Sequence, residues 1–279
     1  MKPLNIPVKA VGFDQEEDTL AYLPMPQGMT VYTVPRLPEP DTVEQGAKAV
    51  LEAMLEALSI CRVDDATPRQ IDLGHLSAKD RVLVGQILGE GEVSIRIDGS
   101  LPLHIQESVL TGLWQVCGFD LSGSRILDEV EVAGVPARVI VRAQEYTTGI
   151  DFPEIPPQGV MNAPSVLAEL RGKAENYTAG DAAHVVNLTL LPMSVEDIVY
   201  LKAVLGTGCV TVLSRGYGNC RITSTRLANL WWVQYYNSQD VLILNTLEVV
   251  DLPEVVRAAQ QDIDDSRERL SEILQWIAC

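Results

Sequence analysis

Cysteine, histidine and glycine are the residue types in this 279-residue chain whose spacing can be tested against known chemistry. Cys61, Cys117, Cys209, Cys220 and Cys279 are odd in number, far apart and form no CxxC pair. That is the pattern of reduced thiols, not of a disulfide framework. His75, His104 and His184 are isolated, and without HExxH or CxxC no zinc signature exists. Gly89-x-Gly91 and Gly206-x-Gly208 lack the third glycine of a dinucleotide loop, and they leave a helix where such a loop would open one. There is no P-loop and no GxSxG elbow. The expectation is therefore a protein with no catalytic residue, no metal ligand and no cofactor, and not an enzyme.

One segment stands out as a binding candidate. Leu213 to Arg221 combines two turn glycines, an asparagine, a tyrosine and two arginines in an acidic chain. Arg215, Tyr217, Asn219, Cys220 and Arg221 are read as partner-binding residues, since arginine and tyrosine are frequent anchors of binding surfaces. A hairpin turn with ordinary charged flanks is the competing reading and weighs the same. Cys220 is a contact or, with less weight, a thiol for metal or redox chemistry. Trp232 joins the candidates as an exposed aromatic anchor, against the alternative of an extra core contact.

The elements that must position these residues emerge when the sequence is laid on itself at an offset of 117. From Leu73 to Pro136 no gap is needed, and 19 of 64 positions match residues 190–253. Composition alone gives about four or five matches. Ser77 and Ser194 each stand three residues before an acid and open an apolar-periodic run, as a helix N-cap does. Gly89 and Gly91, like Gly206 and Gly208, end that helix by positive φ or a tight exit. Val93 to Ile97 and Cys209 to Leu213 read as strands. Leu110, Trp114 and Val116 read as one strand face, though helical spacing also fits part of Ile105 to Cys117. Trp114 and Trp231 are expected at equivalent buried positions, and Gly216 is expected to meet a backbone need because Gly99 is its counterpart. Asn237 to Asp240 is a turn, and Val241 to Val250 a further strand. Pro136 and Pro253 suit the first turn of a closing helix, which in the second copy reaches Ile277.

The fold expected is α+β, with two pseudo-equivalent αβββα units. Residues 1–66 form an N-terminal extension with a strand at Met29 to Thr33, a proline-rich connector and a helix from Thr42 to Leu58. Residues 67–146 are the first unit, 147–186 a linker with a short helix opening at Asn162, and 187–279 the second unit.

Charge narrows the partners. A formal net charge of −17 argues against nucleic acid and against an anionic membrane surface. Basic protein patches would be attracted, although solubility alone accounts for such a charge. The first residues contain no signal-peptide core, and no stretch approaches about 20 apolar residues. The expected location is the cytoplasm, with a homo-oligomer left open.

Leu213 to Ile222, followed by Trp231, Val233 to Ser238 and Leu247 to Pro253, resembles the HupH/HyaF family of hydrogenase expression/formation proteins. Tyr22 to Pro26 with Met29, Met161 to Pro164 and Asn187 to Pro192 are similar too. Ala10 to Gln15 departs from the glycine- and proline-rich stretch expected there. The resemblance implies an accessory protein in maturation of a nickel–iron uptake hydrogenase, acting on the iron–sulfur small-subunit precursor or on other maturation proteins. It implies no catalytic residue. The alternative is a cysteine-based metal or iron–sulfur carrier in the same pathway, against which stands the absence of clustered thiols.

Overall fold

A computed structural model describes residues 45–63, 65, 68–145, 147, 155–216 and 218–278. The expected strand at Met29 to Thr33, the proline-rich connector and the residues from Thr42 to Glu44 lie outside these.

The chain is mixed α and β. The order is α1 (Gln45–Ile60), β1 (Arg69–Asp72), α2 (Ala78–Leu88), β2 (Val93–Ile97), β3 (Leu103–Glu107), β4 (Leu113–Phe119), β5 (Arg125–Val132) and α3 (Ala137–Glu145). There follow α4 (Ala163–Glu175), β6 (His184–Asn187), α5 (Val195–Leu205), β7 (Val210–Ser214), β8 (Asn219–Ser224), β9 (Leu230–Tyr236), β10 (Leu242–Val249), a 3-10 turn (Glu254–Val256) and α6 (Gln260–Ile277).

All ten strands among the described residues join one antiparallel sheet in the order β1-β5-β4-β3-β2-β7-β8-β9-β10-β6. At its centre Ile95 pairs with Val212, flanked by Val93 with Ser214 and Ile97 with Val210. Ile95 and Val212 are 117 residues apart, and Ser214 and Val210 are the 117-residue counterparts of Ile97 and Val93, so the pairing is symmetric about that point. The bounds of α2 and α5, of β2 and β7, of β4 and β9, and of β5 and β10 also differ by 117.

Strand alternation sorts the side chains onto two faces. On the front, α1, α2 and α6 close a core over Leu113, Val130 and Val132, while α4 and α5 close a second over Leu230, Trp232, Leu247 and Val249. On the back, one continuous core runs from Trp114 through Ile105, Ile95, Val212 and Ile222 to Trp231 and Val233, capped by Val139 of α3 and Val256 of the 3-10 turn. Thus α1, from the stretch read as an N-terminal extension, and α4, from the stretch read as a linker, both pack as core helices.

Two expectations are corrected. Each run holds four consecutive strands, not three, because β3 and β8 are separate from the strands that follow. The break is chemical: Ser108 Oγ donates to the Leu110 carbonyl at 2.7 Å and Gly112 takes φ +92°. Leu110 therefore leaves the face of Trp114 and Val116 and packs with α1 and α2. The helix expected from Pro253 is divided, since Arg257 is extended at φ −83°, ψ 135° and α6 starts only at Gln260.

Candidate functional site

Helix starts and exits build the scaffold around the candidate residues. Ser77 and Ser194 cap α2 and α5 by accepting the Asp80 and Asp197 amides at 3.1 and 3.0 Å. Both aspartates are buried and reach beyond their own helix. Asp80 accepts the Ala47 amide of α1 at 3.2 Å, and Asp197 accepts those of Met161, Asn162 and Ala163 at the start of α4. Burial alone would raise the Asp197 carboxyl, but these amides and that of Ser194 outweigh it and hold it at about 2. Gly89 and Gly206 leave the helices at φ +55° and +61°. Gly91 and Gly208 have a different constraint: each amide donates at 2.7 Å to the strand across, and a Cβ would strike Ser108 O or Ser224 Oγ.

Trp114 and Trp231 occupy matching places, 0% and 1% exposed. Their indole N–H groups reach the carbonyls of Ala133 at 3.0 Å and of Val250 at 3.2 Å, again 117 residues apart. Each buried ring thus has the polar partner its N–H requires.

The β7–β8 hairpin carries the binding candidates, and the structure divides them. Arg215 is exposed at the tip, its amide bonded to the Glu92 carbonyl at 3.1 Å. Asn219 is half-buried where β8 begins, its amide 3.5 Å from Asp240 of the neighbouring turn. Arg221 is half-buried on the front face, between Leu213 and Gln234, and no acidic side chain pairs with it among the described residues. Tyr217 lies outside the described residues.

Cys220 and Trp232 are not on the surface. Cys220 faces back beside Tyr235 and is 3% exposed; burial pushes its thiol up to about 12, the Tyr235 hydroxyl opposing and Glu248 adding. At neutral pH it is a protonated, poorly nucleophilic thiol. Trp232 points forward into the core under α4 and α5 and donates to Asn245 Oδ1 at 2.5 Å. Sequence gave it a core role or a surface role, and the helix layer over that half of the sheet decides for the core. Gly216 is corrected as well: it has no positive φ, and a Cβ there would meet only the mobile end of Glu92. The turn glycine of this hairpin is Gly218, at φ +97°.

Other buried charges were not anticipated. On the back of the first half, Arg138 of α3 pairs with Glu129 and Glu131. In the second half Thr246 and Glu248 stand at those places, and Glu248 accepts from the Thr246 hydroxyl at 2.9 Å. Burial raises Glu248 above the usual carboxylate range. The acid common to both halves, Glu131 and Glu248, was the available sequence signal.

The described residues thus form a ten-stranded antiparallel sheet with helices on both faces, with Cys61, Cys209 and Cys220 buried and Arg221 half-buried on the front. Among the described residues no group of three or more metal-ligating side chains assembles. Comparison with known proteins gives the family. The model for the HupH hydrogenase expression protein C-terminal conserved region matches residues 45–151 and again 160–277. Hydrogenase expression/formation protein HoxQ of Cupriavidus necator is 46% identical over 99% of this chain and 98% of its own. Hydrogenase-1 operon protein HyaF of Escherichia coli is 35% identical over 75% of this chain and 73% of its own. The solved structure of hydrogenase expression protein HupH from Thiobacillus denitrificans is 27% identical, covers 40% of this chain and 92% of its own, and has a TM-score of 0.38. The chain belongs to the HupH family of hydrogenase expression proteins.

Proposed function

We propose that this protein is a non-enzymatic assembly factor for a nickel–iron uptake hydrogenase, and that it binds the iron–sulfur small-subunit precursor in the cytoplasm. The observation that carries the reading is similarity over nearly the full chain to proteins named for hydrogenase expression and formation. Three of the described thiols support a binding role over a carrier role. Cys61 belongs to the front core and Cys209 and Cys220 to the back core, and burial raises all three, so they neither converge nor ionise readily. No described helix is long and apolar enough to cross a membrane.

We further read the two halves as copies of one unit, each with its own core helix, edge strand, capped helix and four-strand run. One family model matching two stretches and the symmetric β2–β7 pairing support this. Capture of the small-subunit precursor by tagged protein, in cells expressing the hydrogenase operon, is the expected result. Capture of no hydrogenase subunit or fellow maturation factor refutes the assembly reading. Anaerobic purification yielding stoichiometric iron and sulfide would replace it with the carrier reading.

A further inference from the structure

Among the described residues, helices cover the front of the sheet only at its two ends. Helices α1, α2 and α6 close the core over β4 and β5, and α4 and α5 close the one over β9 and β10. The helical segments packed on β7, α3 and the 3-10 turn, lie on the back. Between the two front layers, the front side chains of β3, β2, β7 and β8 are exposed at Arg96 and His104 and half-buried elsewhere, alternating with buried, mostly apolar residues behind. Three strand spacings of about 4.8 Å make this floor about 14 Å wide, and a helix with its side chains measures about 10–12 Å.

The floor carries basic but no acidic side chains. The whole chain has 38 acidic against 21 basic residues, yet the front positions of these four strands hold no Asp or Glu. They hold Arg96, His104 and Arg221, the last two 117 residues apart. Arg96 is bonded to Asp98 at 2.8 Å, just past the end of β2, whereas Arg221 has no acidic partner among the described residues. Beside the floor, Arg81 of α2 and Arg125 of β5 share the single carboxylate of Asp128, at 3.1 and 3.3 Å.

We propose that this trench receives an acidic helix of the partner protein, lying across the central strands with its carboxylates over Arg221 and His104. The inference rests on the assembly reading above and adds the surface and the chemistry of the segment bound. Charge complementarity of this kind mainly sets partner choice and association rate, and salt weakens it.

The test uses the full chain co-expressed with the hydrogenase small-subunit precursor. A photo-crosslinking residue is placed at Thr223 in the trench or at Glu272 on the outer face of α6. Crosslinks from Thr223, mapping to a precursor segment of net negative charge, are expected. Arg221→Glu with His104→Glu should weaken binding at least tenfold with unchanged melting, and Arg221→Lys should restore most of it in the single variant. Crosslinks only from Glu272, a basic crosslinked segment, or undiminished binding by the charge-reversed protein would each overturn the trench while leaving the assembly reading standing. Wild-type protein that captures no precursor overturns both.

Discussion

Glu107 makes the sharpest stability prediction. Its side chain is 9% exposed on the back face, where it accepts the Val93 amide at 3.3 Å. Burial raises its carboxyl from 4.5 to about 7, the Val93 amide opposing and nearby Glu92 adding. A folded value above the unfolded one means that the folded state holds the proton longer. The unfolded chain ionises first as pH rises, so stability is lost from about pH 4.5 upward and the loss is complete above about pH 7. At about 1.4 kcal/mol per pH unit, the full effect is about 3 kcal/mol. Glu107→Gln removes the titration and leaves a side chain that still accepts the amide. Urea unfolding followed by tryptophan fluorescence should show the variant gaining on the wild type by about 2 kcal/mol between pH 5 and pH 8. Any fixed cost of the amide cancels in that difference. Glu107→Ser should behave alike, because Ser224 already plays this part in the second half and takes the Val210 amide at 3.0 Å. Parallel stability profiles for wild type and both variants would refute the reasoning.

Trp114→Ala and Trp231→Ala should each cost about 3–5 kcal/mol in the same unfolding assay, as large-to-small changes in a full core; a loss under about 1 kcal/mol at either would contradict the matched burial. Gly208→Ala should lower the melting temperature sharply because its Cβ meets Ser224 Oγ and the Thr225 carbonyl, whereas Gly216→Ala should stay within about 0.5 kcal/mol of wild type. Cys220 should resist aqueous thiol reagents until urea unfolds the protein, and rapid labelling of the native state would sink the buried assignment. Replacing Arg215 and Tyr217 together by Ala should leave melting nearly unchanged and impair hydrogenase maturation in cells; normal maturation would reduce the tip to a hairpin turn.

The sequence determined the local elements whose signals lie within a few residues. Ser-x-x-Asp marked two helix starts, Gly-x-Gly two exits, and alternation the strands at 93–97 and 210–214, because caps, positive φ and pleat act over one or two turns of chain. It also placed Trp114 and Trp231 together, since the shared register carried both indoles to one face. What a strand face meets was not local. Trp232, Cys220 and Arg221 sit on neighbouring strands with similar sequence credentials, yet two are buried and one opens forward. That outcome depends on which helices cross the sheet above them: α4 and α5 bury Trp232, the back core buries Cys220, and no described helix lies in front of Arg221. Asp80 and Asp197 show the same division. Their spacing announced a cap, but their bonds to α1 and α4 join residues more than thirty positions apart, and only the packed fold brings those amides within reach.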